Sequence, residues 1–131
     1  MAAIHILAAK LASISRLKAG WDGDNSKPIS VDALLVTKAV VSKITKELGK
    51  LSKFHKETFL DGISLIPLSY GGIMIRFNSP QIIIEIAVQP MGSIDFYISN
   101  SDDLTYIREN DTLDNIVRII TAEFDTYNLG S

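Results

Sequence analysis

The amino-acid sequence predicts an α+β fold: an N-terminal helical hairpin, a four-stranded antiparallel β-meander and a C-terminal helix, with the helices packed on one face of the sheet. Apolar residues recur every three or four positions in residues 4–18 and 30–48, which is the period of an amphipathic helix. The period changes to two over residues 63–99 and returns to the helical value after Asp111. The chain has 131 residues, 47% hydrophobic and 21% charged, which predicts a single domain over residues 1–131.

The first predicted helix spans residues 4–18 and ends near Gly20, since glycine commonly terminates helices. The second helix begins after Ser30, a typical N-cap residue, and ends at about Leu48. Asp32 in its first turn faces the positive end of the helix, which favours the same start. The apolar stripe of the first helix is Ile4, Leu7, Leu11, Ile14 and Leu17, and that of the second is Leu34, Val41, Ile44 and Leu48.

A segment of turn-forming residues joins the two helices, with Gly20-Trp21-Asp22-Gly23 followed by Pro28-Ile29-Ser30. The residues expected to build this structural loop are Trp21, Asp22, Pro28 and Ser30. We expect Trp21 to pack between the helices, near Leu17 and Leu34, because a large aromatic ring is usually mostly buried. The alternative is an exposed Trp21 that anchors a partner protein.

Four strands are predicted from alternating apolar residues, over residues 63–67, 73–77, 82–88 and 94–99, with short turns between them. A fifth short strand over residues 104–108 is an alternative that the sequence leaves undecided. One sheet face consists of isoleucine, phenylalanine and valine, so we expect the helices to cover it. The other face is mixed and carries Met74, Arg76, Ile83, Glu85, Asp95 and Tyr97. The last helix follows Asp111 as its cap, with an apolar stripe of Leu113, Ile116, Val117, Ile120, Phe124 and Tyr127.

The Gly20-Trp21-Asp22-Gly23 and Pro28-Ile29-Ser30 segments are followed by a glycine-rich turn and strand, Gly71-Gly72-Ile73-Met74-Ile75, and by Ile84-Glu85-Ile86. Over about residues 17–98, this pattern resembles a family of small uncharacterised bacterial and phage proteins. In that family an aromatic residue usually follows the second glycine of the loop, where this chain has an aspartate, so the chain would be a divergent member. The resemblance implies no activity, but it does imply a mobile-element setting and hence an inhibitor, antitoxin or accessory role.

Charge is divided unevenly along the chain. Residues 1–60 carry ten Lys or Arg and five Asp or Glu, a net charge of +5, whereas residues 61–131 carry three and ten, a net charge of −7. We expect the two halves to neutralise each other where they pack, although such asymmetry also marks interaction surfaces.

The absence of cysteine excludes disulfides, thiolate zinc sites and cysteine nucleophiles. No apolar run approaches ~18 residues and no charge precedes the first apolar segment, so we expect no membrane span, no secretory signal and a cytoplasmic location.

A row of lysines marks the second helix and its continuation, at spacings of three and four residues that would align them on one helix face: Lys43, Lys46, Lys50 and Lys53. This row is a candidate surface for an acidic partner protein. Nucleic acid is the less favoured partner, because the row contains no arginine and the sequence pI is about 5.6.

Two further patterns are candidate sites. Counting along the strands places Glu85 opposite Tyr97 and diagonal to Arg76 on the mixed face, where the three side chains would form either a cross-strand ion pair or a ligand-binding or catalytic group. The spacing Asp22-x-Asp24-x-Ser26 is typical of the start of a calcium loop. The required glycine and acidic residue are replaced by lysine and alanine, so we expect no metal site.

The sequence therefore favours a non-enzymatic protein-binding module, an inhibitor or accessory protein of a phage or plasmid that occludes a partner protein. A small ligand-binding protein or enzyme that uses the mixed face is the alternative, and a nucleic-acid-binding repressor or antitoxin is the second alternative. We expect no catalytic residue and no cofactor. A homodimer through the mixed face is also expected, because a monomer would expose an apolar patch to solvent. This patch consists of Met74, Ile83, Ala87 and Tyr97.

Overall fold

Four helices and five strands follow one another in a computed structural model, which describes residues 3–51, 54–100 and 105–127. Their bounds, in chain order, are α1 Ala3–Ser15, α2 Val31–Leu48, α3 Lys56–Asp61, β1 Ile63–Pro67, β2 Ile73–Asn78, β3 Ile82–Val88, β4 Ile94–Asn100, β5 Thr105–Asp111 and α4 Leu113–Tyr127. The predicted α+β class is confirmed, with helices, an antiparallel sheet and a C-terminal helix.

The strands form one antiparallel sheet in sequence order, β1-β2-β3-β4-β5. The register places Ile75 opposite Ile86 and Ile84 opposite Ile98, so these apolar residues share one face. Alternation then places Arg76 and Glu85 on the other face. A meander of this kind arises because short turns can join only neighbouring antiparallel strands.

The predicted number of four strands is wrong, since β5 is a fifth strand paired with β4. A bulge interrupts this pairing, because Ile94 lies opposite Asp111 whereas Phe96 lies opposite Arg108. Asn110 has a φ of 51° there, and its N–H donates to Asp95 Oδ1 at 2.9 Å. Residues 107–110 are exposed, so β5 lacks the buried alternation that reveals the other strands in the sequence.

The helix boundaries follow the local capping chemistry. Ser30 is confirmed as the N-cap of α2, because its Oγ accepts a hydrogen bond from Ala33 N, and α2 ends at Leu48 as predicted. The first helix ends at Ser15, three residues earlier than predicted. The sequence did not reveal α3, because its six residues are too few to display a helical period.

All four helices contribute side chains to the core that covers the apolar face of the sheet. Phe54, Phe59, Phe77 and Phe124 form an aromatic cluster in it, with neighbouring ring centroids 5.0–5.6 Å apart. The second sheet face therefore lies on the side away from the helices. Within the described part of the chain, none of the helices combines the length and the apolar character needed to cross a bilayer.

Candidate functional site

The loop between α1 and α2 is held together by its own hydrogen bonds. Gly20 N donates to Ser26 O at 2.9 Å, and Gly23 N donates to Gly20 O at 2.9 Å. The Ser26 hydroxyl accepts from Asp22 N at 3.2 Å and is buried. The hydrogen bond from Ser26, followed by one from the backbone of Asp24, lowers the pKa of the Asp22 carboxyl. These aspartate contacts are those of a turn rather than of an ion-binding loop.

Trp21 is half-buried, and its indole Nε1 donates to Lys27 O at 2.8 Å. The indole therefore closes the loop on itself. Leu17 and Leu34 pack against the core. The contact of Trp21 with these two leucines stays a prediction.

The same loop is bonded to two turns at one end of the sheet, and we call this arrangement the loop clasp (residues 20–30 with turns 68–72 and 89–93). Lys27 N donates to Ser69 O at 2.7 Å, and Ser30 N donates to Gly71 O at 3.1 Å. The Ser30 hydroxyl donates to Pro90 O at 2.6 Å. The tryptophan loop and the glycine-rich turn, which are far apart in the sequence, therefore meet in space.

Backbone geometry explains the glycines of that turn. Gly71 has a φ of +101°, and a Cβ on it would lie 3.1 Å from Pro28 O. A Cβ on Gly72 would lie 2.4 Å from Val88 O, which is closer than real Cβ atoms approach a carbonyl. Trp21, Asp22, Pro28 and Ser30 thus all belong to a tightly bonded connection between the helical layer and the sheet.

The sheet face turned away from the helices, which we call the open face, carries the mixed residues predicted from the sequence, namely Met74, Arg76, Ile83, Glu85, Ala87, Asp95 and Tyr97. Ile66 and Ile107, which were not predicted there, lie on it as well. At its centre Arg76 Nε and Nη2 donate to the same carboxylate oxygen, Glu85 Oε2, at 3.0 and 2.7 Å. Glu85 lies opposite Tyr97, as predicted. Arg76 is directly opposite Glu85 and not diagonal to it, so that detail of the prediction is wrong.

Tyr97 lies near the carboxylates of Asp95, Glu109 and Glu85. Burial raises the pKa of the Tyr97 hydroxyl, and the carboxylates of Asp95 and Glu109 raise it further. Asp95 is fixed in place, since its two oxygens accept from Gln89 Nε2 at 2.7 Å and from Asn110 N at 2.9 Å. The positive charge of Arg76 does not neutralise Asp95 and Glu109, because Arg76 already pairs with Glu85.

Apolar side chains stand beside these charges. Ile83 is 42% exposed and Ile107 is 56% exposed, while Met74 and Tyr97 are half-buried. An apolar surface with an embedded ion pair and an acidic margin suits contact with another macromolecule. Arg76 contacts the Glu85 carboxylate through Oε2 alone, and this ion pair holds the two side chains together at the centre of the face.

The predicted lysine row is divided in the structure. Lys43 pairs with Asp114 of α4, and the hydrogen bond that Lys43 Nζ donates to that carboxylate raises the pKa of Lys43. Lys50 pairs with Glu47 at 3.0 Å. Lys46 lies instead at the side of α2 that faces α1. Lys53 lies outside the described residues. The structure therefore does not assemble these lysines into one free basic surface.

A groove of about 490 Å³ between α1 and α2 is a site that the sequence analysis missed. Its walls are apolar, with Leu7 and Leu11 from α1 and Val41 from α2. Thr37 also lines it, and the Thr37 hydroxyl is buried without a hydrogen-bond partner in the part of the chain that the structure describes. One feature of the sequence indicates this groove. Thr37 lies three residues after Leu34 and four before Val41, which places a polar side chain on the apolar stripe of α2.

Among residues 3–51, 54–100 and 105–127, no group of three or more His, Cys, Asp or Glu side chains is arranged to hold a metal ion. No family model, curated protein or solved structure matches the chain, and the family suggested by the Gly20-Trp21-Asp22-Gly23 and Pro28-Ile29-Ser30 segments therefore stays a prediction.

Proposed function

We propose that this chain is a non-enzymatic protein-binding module that covers a functional surface of another protein with its open face. The observation that carries the proposal is the exposure of Ile83 (42%) and Ile107 (56%) on a sheet face that no described helix covers. Ile83 of β3 and Ile107 of β5 lie on this face on either side of β4, and exposed apolar surface rimmed by polar residues marks interaction sites in proteins. The resemblance to bacterial and phage proteins adds the role of an inhibitor or accessory protein of a mobile element.

Charge indicates the chemistry of the partner surface. The open face has an acidic margin, where Asp95 and Glu109 raise the pKa of Tyr97. The central charges, Arg76 and Glu85, neutralise each other. A partner that offers apolar side chains flanked by a lysine or arginine near Asp95 would match both features.

The alternative functions have less support. The catalytic or ligand-binding alternative rests on Arg76, Glu85 and Tyr97, and two of these side chains, Arg76 and Glu85, are bonded to each other. A nucleic-acid-binding repressor would need a continuous basic surface, and Lys43 and Lys50 each pair with a carboxylate.

A comparison of two double variants tests the proposal. Ile83→Glu with Ile107→Glu places charge on the open face, whereas the control, Ile6→Glu with Leu35→Glu, changes side chains of similar exposure on α1 and α2. Wild type and both variants are immobilised and incubated with lysate of the organism that encodes the chain. The affinity of each protein captured by the wild type is then measured after purification.

We expect the control to bind as the wild type does and the open-face variant to lose affinity by about a hundredfold, since carboxylates would be buried in an apolar contact. Equal affinity of both variants would contradict the proposal. A wild-type dimer that dissociates in the open-face variant would contradict it in favour of the homodimer predicted from the sequence, because the open face would then be occupied by a second copy. Sedimentation velocity distinguishes that outcome.

A further inference from the structure

The groove between α1 and α2 has the dimensions and lining of a small-molecule site, separate from the open face. Its volume of about 490 Å³ lies within the range of roughly 300–1,000 Å³ typical of ligand pockets. On α2 the lining residues run from Thr37 to Lys46, which corresponds to about 14 Å of helix. Such a groove suits a long, narrow and mostly apolar ligand.

The charges around the groove have one sign. Lys38 and Lys46 of α2 and Lys56 of α3 line it, and none of its lining residues is acidic. These three lysines make no ion pair with another described residue, in contrast to Lys43 and Lys50. Long lysine stems can lie along apolar walls while their ammonium groups remain at the rim. The rim therefore attracts an anion.

A buried donor lines the same groove as these cations. Thr37 is 1% exposed and lines the groove together with Lys38. Its hydroxyl has no hydrogen-bond partner within the described residues, and a buried polar group left in that state costs about 1–3 kcal/mol. A rotation about the Thr37 Cα–Cβ bond would turn the hydroxyl toward the groove, where an oxygen atom of a ligand would provide the missing partner.

We propose that the groove binds a free single-chain amphipathic carboxylate, such as a fatty acid, with its hydrocarbon chain between α1 and α2 and its carboxylate at Thr37 and Lys38. The Thr37 hydroxyl donates to the carboxylate, and the Lys38 ammonium balances its charge. The stems of Lys46 and Lys56 cover the hydrocarbon chain. This site is independent of the protein-binding function proposed for the open face.

Titration of the isotopically labelled full chain with laurate, below its micelle concentration and followed by amide chemical shifts, tests the proposal. Saturable shifts are expected in α1 and α2. Dodecyltrimethylammonium, which has the same chain length and the opposite charge, should not bind. The double variant Lys38→Glu with Lys46→Glu should weaken laurate binding about tenfold, because the attraction at Lys38 becomes repulsion and the long Lys46 stem that covers the hydrocarbon chain is lost. The matched control Lys10→Glu with Lys18→Glu changes exposed lysines that do not line the groove and should keep the wild-type affinity.

Thr37→Val tests the buried donor, since valine keeps the shape of threonine and removes the hydroxyl; laurate binding should weaken while the spectrum of the free protein stays folded. The proposal is overturned if the cationic probe binds as well as laurate, or if both lysine pairs change the affinity equally. Shifts confined to the open-face strands would also overturn it. Binding of anionic vesicles without binding of monomeric laurate would overturn it in favour of a membrane surface.

Discussion

Replacing Ser30 by alanine should lower the free energy of unfolding by about 2 kcal/mol, because this side chain makes two hydrogen bonds that hold different parts of the fold. Its Oγ accepts from Ala33 N at 2.9 Å, and loss of an N-cap of this kind costs about 1 kcal/mol. The same hydroxyl donates to Pro90 O at 2.6 Å, and loss of this bond adds about 1 kcal/mol. The backbone bond from Ser30 N to Gly71 O is unaffected by the change.

Urea denaturation followed by tryptophan fluorescence and by circular dichroism measures this effect, and Trp21, the one tryptophan of the chain, reports directly on the loop clasp. The midpoint should fall by about 1 M with an unchanged slope, given a slope of about 1–3 kcal/mol/M for a small domain. Ser30→Thr keeps the hydroxyl and should recover most of the loss, and Ser13→Ala on the exposed side of α1 should be nearly neutral. Equal stability of Ser30→Ala and Ser13→Ala would refute the structural role assigned to the loop clasp.

Three other changes have defined outcomes. Thr37→Val should raise the free energy of unfolding by about 1–2 kcal/mol in the absence of ligand, since it removes a buried hydroxyl without a described partner; a loss of stability in urea denaturation would show that the hydroxyl is satisfied. Gly72→Ala should lower the melting temperature and cost about 2–3 kcal/mol, because the new Cβ would lie 2.4 Å from Val88 O; an unchanged melting temperature would contradict this close approach. The pKa of Tyr97 is raised in the folded chain above its ordinary value of 10.0, first by burial and then by Asp95 and the other neighbouring carboxylates. The unfolded chain therefore loses this proton first, and the free energy of unfolding should fall as the pH rises above about 10 and through the folded pKa. Tyr97→Phe should reduce this alkaline loss in denaturation curves taken across that range, and an identical pH dependence of the two proteins would contradict it.

The elements that the sequence predicted well are those in which periodicity coincides with burial. In β2 and β3, for example, the buried Ile75 and Ile84 alternate with exposed or half-buried residues, so a period of two is visible in the sequence. In contrast, β5 is an edge strand with an exposed Ile107 and a bulge at Asn110, and neither feature produces a regular pattern.

The sequence predicted the residues of a candidate site only where positions along one strand could be matched with positions along the next. Glu85 opposite Tyr97 follows from such counting, whereas the direct pairing of Glu85 with Arg76 depends on the exact connection between β2 and β3. Matching positions between strands does not predict the loop clasp or the groove. The bond from Ser30 to Pro90 and the opening beside Thr37 depend on how the helices are placed against the sheet and against each other, which local spacing does not determine.

Photo-crosslinking tests most directly whether the open face is the protein-binding surface. The photoreactive residue p-benzoylphenylalanine is placed at Ile83 on the open face and, in a separate protein, at Leu35 on α2, which is 58% exposed. Each protein is irradiated with the purified partner identified by the capture experiment. Crosslinks from position 83 and none from position 35 are the predicted result. Crosslinks from position 35 alone would contradict the proposal and assign partner binding to the helical side of the molecule.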